Sequence, residues 1–242
     1  MAVAGDVEPL GTRERGNEDG MNEHLPSIAI IGGTGKLGGG LALRWTRAGY
    51  QVVIGSRSPD RAKHAAEMIG MEVGGSRISG MSNESAAAAG DIAVLTVPYA
   101  HHRDTLESIR SAVQGKIFVD TTVPLVPPRV SVVQLPKNGS VAREAQSFLG
   151  DTVRVVSAFQ TIAAAQLRED PDDEHGHVLV CGNDPDARET VLGLVEAAGL
   201  RGWHAGVIDN SVVSEALTSV LIYVNRTYKM GHAGIHIVGR KK

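Results

Sequence analysis

The chain has 242 residues, of which 42% are apolar, and a formal net charge of −3 at pH 7. That length suits a globular chain with a substantial core, built as one unit of about 150 residues plus a smaller one. Near-neutral charge gives no electrostatic reason to expect a nucleic-acid or membrane partner, and no apolar run approaches the roughly 20 residues that span a bilayer. The single cysteine, Cys181, excludes an intrachain disulfide and fits a reducing cytoplasm.

Residues Met1 to Pro26 are polar and glycine-rich and lack the apolar stretch of a signal peptide. They are read as a disordered tail, residues 1–26, with Met21 an alternative start and the fold beginning at Ser27. From there the chain reads Ser27-Ile-Ala-Ile-Ile-Gly-Gly-Thr-Gly-Lys-Leu-Gly38, an apolar strand that breaks into glycines and then a helix. Gly33, Gly35 and Gly38 fill the G-x-G-x-x-G pattern. In it one glycine makes the turn, one admits a phosphate close to the backbone, and one lets the helix lie on the strand. The open N–H groups of a helix starting near Lys36 then face the pyrophosphate of a dinucleotide. An amphipathic helix (Leu37, Leu41, Trp45, Ala48) and a second strand, Gln51 to Gly55, complete the unit.

The end of that second strand bears on which nucleotide binds. Folds that prefer NAD usually place a carboxylate there for the ribose hydroxyls. This chain has Gly55-Ser-Arg57-Ser-Pro-Asp-Arg61-Ala-Lys63 instead, with no carboxylate at the strand end. Arg57 can bond a 2′-phosphate through its planar fork and Ser56 can donate to it. Ser58 and Pro59 read as the N-cap and first position of a helix, with Asp60 in its first turn. NADP is therefore expected over NAD.

Further along, strands and helices alternate, the pattern of a parallel sheet covered on both faces. A helix is expected over Pro59–Met68, a weak strand over Arg77–Gly80 and an alanine-rich helix over Asn83–Ala89. Strands follow at Asp91–Val97 and Lys116–Asp120, separated by a helix from Ala100 to Val113. The proline-rich stretch Thr121–Asn138 reads as a loop, and Val153–Ala158 as a sixth strand. After Asp170 come a charged loop, a strand at Val178–Cys181, a helix at Pro185–Ala198 closed by Gly199, and a strand around Trp203. A longer helix, Val212–Met230, and a short strand, Ile235–Val238, end the chain. The expected architecture is an α/β, Rossmann-type doubly wound parallel sheet over residues 27–170, with a smaller C-terminal α/β cap over residues 171–242. Such a cap would cover a partner substrate beyond the carboxyl ends of the strands.

Several chemistries find little support. Asp172, Asp173, Glu174, His175 and His177 sit on nearly consecutive loop positions, which rarely converge on one metal ion, so no metal ligand is assigned. Cys181 reads as inert packing in a buried strand with no basic neighbour. His101 and His102 follow the fourth strand's end, and His101 could lie beside a nicotinamide. The tyrosines Tyr50, Tyr99, Tyr223 and Tyr228 are followed four residues later by Ile54, Arg103, Thr227 and His232, so no Tyr-x-x-x-Lys pair exists. Oxidising an alcohol needs a base for its proton, and none is evident; no catalytic residue is assigned. A hydride exchange between two cofactors needs only two rings held face to face.

These blocks together resemble the NADPH-dependent reductases of coenzyme F420, an 8-hydroxy-5-deazaflavin. The likeness runs from Ser27 to Val238. Beyond the glycine turn and Ile54–Arg57 it rests on Asp91–Pro98, Val156–Ala164, Val180–Asp184, Asp209–Ser211, Glu215–Thr218 and Gly231–Ile235. The resemblance implies NADP contacts from Thr34, Gly35, Lys36 and Leu37, from Ser56, Arg57 and Arg61, from Val97, Pro98 and Tyr99, and from Val123, Ile162 and Ala164. It implies deazaflavin contacts from Asn210, Ser211 and Leu217, and a cytoplasmic homodimer formed through the smaller domain. Gln160, Ala163 and Asp209 depart from the family's usual residues. The activity so implied is direct hydride transfer between NADPH and coenzyme F420. Rival readings are an NADPH-dependent reductase of a flavin, ferric chelate or imine, and a non-catalytic NADP sensor.

Overall fold

A computed structural model describes residues 25–170 and 176–240. The expected tail up to residue 24 and the charged loop 171–175 lie outside the described residues. Among the described residues, eight strands and seven α-helices follow one another as β1 (Ile28–Ile31), α1 (Lys36–Arg47), β2 (Val52–Ser56), α2 (Pro59–Val73), β3 (Ile78–Ser82), α3 (Asn83–Ala89), β4 (Ile92–Leu95), α4 (His102–Ile109), β5 (Ile117–Asp120), α5 (Val141–Leu149), β6 (Arg154–Ser157), β7 (Val178–Gly182), α6 (Pro185–Ala197), β8 (Gly202–His204) and α7 (Ser211–Tyr228).

The strands form one sheet in the order β3-β2-β1-β4-β5-β6-β7-β8. Its first six strands are parallel and have the doubly wound order whose direction reverses between β1 and β4. All four residues of β1, β4 and β5 are buried, as expected of strands covered on both sides. Alternate side chains feed two cores. Ile28, Ile30, Ile54, Val94 and Val119 meet α1, α2 and α6 on one face. Ala29, Ile31, Leu95 and Phe118 meet α3, α4 and α5 on the other.

Four points differ from the sequence reading. β7 pairs with β6 antiparallel, Ser157 opposite Cys181, so the sheet is mixed and continues past residue 170. Helix α5 was not expected. It starts where Ser140 Oγ accepts from the Arg143 N–H and stops at Gly150, which has φ +90°. The anticipated strand at Ile235–Val238 is irregular chain, because its main chain meets His177 in place of a strand edge. Finally, α2 runs on from Met68 to Val73, and its Gly74 cap adopts φ +66°.

The tightest packing on the first face is where α2 crosses β3. A Cβ on Gly80 would lie 2.2 Å from the Ala62 carbonyl carbon and oxygen, so helix and strand touch through bare backbone. Gly193, inside α6, has nothing within 4 Å of its own missing Cβ. Gly80→Ala is therefore expected to destabilise by about 2–3 kcal/mol through overpacking. Gly193→Ala should stabilise by about 0.5–1 kcal/mol by lowering backbone entropy in the unfolded chain. Urea unfolding of the two variants measures both; equal effects would show that α2 yields freely at this crossing.

Candidate functional site

Beyond the carboxyl end of β1 the chain makes the turn that the glycine pattern anticipates. Gly32 has φ +76°, and its N–H donates to Asn83 Oδ1 at 3.2 Å. The Gly33 N–H donates to the carbonyls of Ile30 and Gly55 at 3.2 and 3.0 Å. A Cβ on Gly33 would meet Ile30 O at 2.8 Å, and one on Gly38 would meet Thr96 Oγ1 at 2.5 Å and Gly33 Cα at 2.7 Å. These two glycines are demanded by packing. Gly35 is different: nothing of the protein comes closer than 3.5 Å to its missing Cβ, and it is exposed. The space above it is open to a ligand.

Gly35 is also the N-cap of α1, and no side chain caps that helix. By contrast Ser58, Ser82, Ser140 and Asp184 accept from the first turns of α2, α3, α5 and α6. The leading N–H groups of α1 are thus left for an anion in front of Gly35. A cleft of about 340 Å³ opens there, lined by Thr34, Gly35, Ser56, Arg57, Arg61 and Val97 among others. Arg57 and Arg61 are exposed at its rim, while Ser56 is buried and its Oγ accepts from the Ser58 N–H at 3.2 Å. The residues fit a dinucleotide with a 2′-phosphate: open N–H donors for the pyrophosphate and two cations where a carboxylate would repel.

The anticipated residues fall in several places. Gly33, Thr34, Gly35 and Lys36 form the turn, Leu37 packs on the core, and Gly38 is buried in the first turn of α1. Ser56, Arg57, Arg61, Val97, Pro98 and also His101 line the cleft. Tyr99 lines a separate 600 Å³ hollow between α4 and α5 with Phe148 and Glu144. Burial, then Glu144 and Glu215, raise its hydroxyl pKa. Val123 is half-buried in the loop after β5. Ile162 is buried in the core, whereas Ala164 lines a 620 Å³ groove on the other side of the glycine turn, with Lys36, Glu72 and Arg168. Asn210, Ser211 and Leu217 line none of these three spaces. Asn210 Nδ2 donates to Ala205 O, and Leu217 is half-buried. Ser211 is 0% exposed and its Oγ donates to Ser140 Oγ at 2.7 Å, which joins α7 to α5 and leaves that hydroxyl closed to a ligand.

Three important groups have no local signature in the sequence. Asn83 holds the Gly32 turn from 51 residues away. Arg44, buried in α1, donates to the carbonyls of Leu167 at 2.9 Å, Gln166 at 3.1 Å and Glu169. It thereby pins the chain after Ala164 to α1, and its burial lowers its pKa. Phe159 turns the chain out of β6 with φ +71°, a conformation that costs a non-glycine residue about 1–2 kcal/mol. It is held there by burial and by an edge-to-face contact with Trp45, centroids 5.9 Å apart. Cys181 needs a correction: Arg188 lies close enough to lower its pKa, but burial dominates and pushes the thiol up to about 11.

Next to this turn lies a buried polar network. His102 Nε2 is 2.7 Å from Asp120 Oδ2, and Asp120 Oδ1 accepts from the Thr122 N–H. Gln160 Nε2 donates to Asp120 O and Ser157 Oγ at 2.8 and 2.9 Å, while Thr218 Oγ1 donates to Gln160 O. Glu215, 0% exposed, accepts from the N–H groups of Val141 and Ala142 at 2.7 and 3.1 Å. It thus seats α7 on the start of α5. Burial pushes its carboxyl up to about 8, against the pull of those two N–H bonds, with Asp120 and Glu144 adding repulsion.

A carboxyl at about 8 in the fold and 4.5 when unfolded means that the native state holds the extra proton between those values. Stability from Glu215 is then fully present below pH 4.5 and lost as pH rises towards 8, by at most about 1.4 kcal/mol per pH unit. Gln keeps the shape and does not titrate. Urea unfolding across this window should show a falling slope in the wild type that flattens in Glu215→Gln. A wild-type slope no steeper than the variant's would mean that the native carboxyl is ionised throughout.

Comparison with known proteins agrees with the fold and reaches further. A family model described as NADP oxidoreductase coenzyme F420-dependent matches residues 27–124. The F420-dependent NADP reductase of Methanocaldococcus jannaschii is 36% identical over 218 residues, 87% of this chain and 97% of that protein. The F420-dependent NADP reductase of Methanothermobacter thermautotrophicus is 38% identical over 219 residues, 87% of this chain and 94% of that protein. In structure, an Arthrobacter sp. FB24 protein provisionally described as an F420-dependent NADP reductase superposes with a TM-score of 0.75. That match covers 88% of this chain and 100% of the other at 22% identity, and so bears on the fold alone. With identities this high across nearly the full length of two relatives, the chain belongs to the F420-dependent NADP reductase family.

Proposed function

We propose that the protein is an oxidoreductase that transfers a hydride directly between NADPH and coenzyme F420. The observation that supports it best is the cleft at Gly35, where α1 presents an uncapped N-terminus beside Arg57 and Arg61 in a chain whose likeness to F420-dependent reductases extends through its C-terminal third. When bound, the nicotinamide and deazaflavin supply the carbons that give and accept the hydride. The protein's part is to bind and orient. The α1 N–H groups and Thr34 to Leu37 would hold the pyrophosphate, and Ser56, Arg57 and Arg61 the 2′-phosphate. Val97 to Tyr99, Val123, Ile162 and Ala164 would border the nicotinamide half. Arg44 and Phe159 fix the chain that carries Ile162 and Ala164. No proton transfer by a side chain is required, in keeping with the absence of an assigned base.

Residues 27–170 would then serve as the NADP unit and residues 171–242 as the part over the deazaflavin, with Asn210 and Leu217 near it. We also propose a cytoplasmic homodimer, with the partner on α7. That helix buries Ser211, Ser214, Glu215 and Ser219 and leaves Val213, Val220 and Tyr223 exposed at 54%, 44% and 58%. An apolar outer face on a helix whose inner face is polar marks a surface for another protein. No described helix is long and apolar enough to cross a membrane.

The deciding experiment mixes protein, stereospecifically deuterated NADPH and oxidised F420. Bleaching of the deazaflavin band with deuterium retained on its carbon is the expected result. Reduction of a flavin, ferric chelate or imine without F420 would point to the rival acceptors, and no NADPH oxidation with any of them to a sensor. Nucleotide choice is checked separately by calorimetry. Arg57→Ala should weaken NADP by about 2 kcal/mol, roughly thirtyfold, and barely change NAD; equal wild-type affinity for the two would refute this role for the β2 end.

A further inference from the structure

The Gly231–Ile235 block belongs to an irregular strap, residues 231–238, that follows α7. Little apolar burial holds it, for Ile237 is 45% and Val238 89% exposed. Polar contacts hold it instead. The Ala233 N–H donates to Asn225 Oδ1 at 2.9 Å, and the His177 N–H donates to Ile235 O at 2.7 Å. Gly234 lies so close to Gly176 that a Cβ on it would come within 3.0 Å of the Gly176 Cα. At the centre is the His177 ring, 7% exposed as a residue. Its Nδ1 lies 2.8 Å from the Ile237 backbone nitrogen and 3.1 Å from Trp203 Nε1. Backbone N–H and indole N–H can only donate. Nδ1 must therefore carry a lone pair, the ring proton sits on Nε2, and the ring is neutral.

We infer that His177 is a proton-operated latch for the strap: its neutral ring holds Ile237 in place, and protonation of Nδ1 releases it. An added proton there would set three N–H groups against one another, because neither Ile237 nor Trp203 can become an acceptor. The groups around the ring favour the neutral form. The His236 ring on the strap lies tilted against it, 4.6 Å between centroids, and Arg201 lies over the Trp203 ring at 4.8 Å. Burial first, then these two, lower the His177 pKa below 6.5. The latch thus holds at neutral pH and opens only below that ordinary imidazole value. At the other end of the strap, His232 Nε2 lies 3.9 Å from Glu169 Oε1. That contact ties the root of the strap to the chain after Ala164, so release at His177 frees the outer end of the strap, around Ile237. The His177 carbonyl also accepts from Thr161 Oγ1 at 3.4 Å, which connects the latch to the chain just before Ile162.

The test is amide hydrogen exchange at Ile237, expressed as protection relative to the unstructured rate at each pH, on the full chain. In the wild type, protection should fall several-fold as the pH is lowered from about 7.5 to about 4. His177→Asn places an acceptor oxygen near the position of Nδ1 and does not titrate, so protection should persist through that range. His177→Phe should leave Ile237 unprotected at every pH. Nitrogen NMR of the wild type at pH 7.5 gives a second readout independent of the variants, with Nδ1 unprotonated and Nε2 protonated. A protonated Nδ1 at about pH 7.5, wild-type protection unchanged down to about pH 4, or loss on acidification that His177→Asn shares would each overturn the latch.

Discussion

The contact of α1 with the strands beneath it is the constraint on which the site depends. Gly38 lies against Thr96 and Gly33, and any side chain there would lift the helix off β1 and β4. With the helix seated so low, its first turn begins directly over the ends of the central strands, where the sheet reverses its winding. The open N–H groups, the Arg57 rim and the Val97 wall all take their positions from that one approach. Asn83 then locks the turn by accepting from Gly32, which explains a buried polar side chain on the first residue of α3.

A second layer of control lies under the 158–169 segment. Phe159 accepts a left-handed backbone because Trp45 and the core enclose its ring. Arg44 gathers the three carbonyls of Leu167, Gln166 and Glu169 onto one guanidinium. Both anchors come from α1, so the same helix whose N-terminus is left uncapped at the cleft also sets the chain bearing Ala164. Across the sheet end, hydrogen bonds join His102, Asp120 and Gln160, and Glu215 is buried nearby on the N–H groups that open α5. Such networks specify one arrangement strongly, since a broken member leaves buried polar atoms unpaired.

How much of this could be read from the chain depends on the range over which each signal acts. Strands at 28–31, 92–95 and 117–120 are short apolar runs bounded by breakers, and α3 matched residue for residue because Ser82, Gly90 and five alanines and serines between them act locally. Helix α5 escaped notice because it follows a proline-rich stretch, although Ser140 and Gly150 mark both its ends. The final segment alternates apolar and polar residues like a strand, yet it docks through the His177 main chain and a ring nitrogen 60 residues away instead of a strand ladder. The antiparallel entry of β7, the role of Asn83 and the role of Arg44 rest on contacts between distant parts of the chain, which no local pattern encodes.

The three glycines of the turn differ in what would replace them over evolutionary time. Gly33 and Gly38 are enforced by neighbouring backbone, so drift at either is opposed by the fold itself. Gly35 has room for a methyl group as far as the protein is concerned; only an occupant of the cleft objects. A descendant that ceased to use a nucleotide would therefore keep the outer glycines and lose the middle one first. Its sequence would still trace the same turn, while the middle position alone recorded that the turn had fallen out of use.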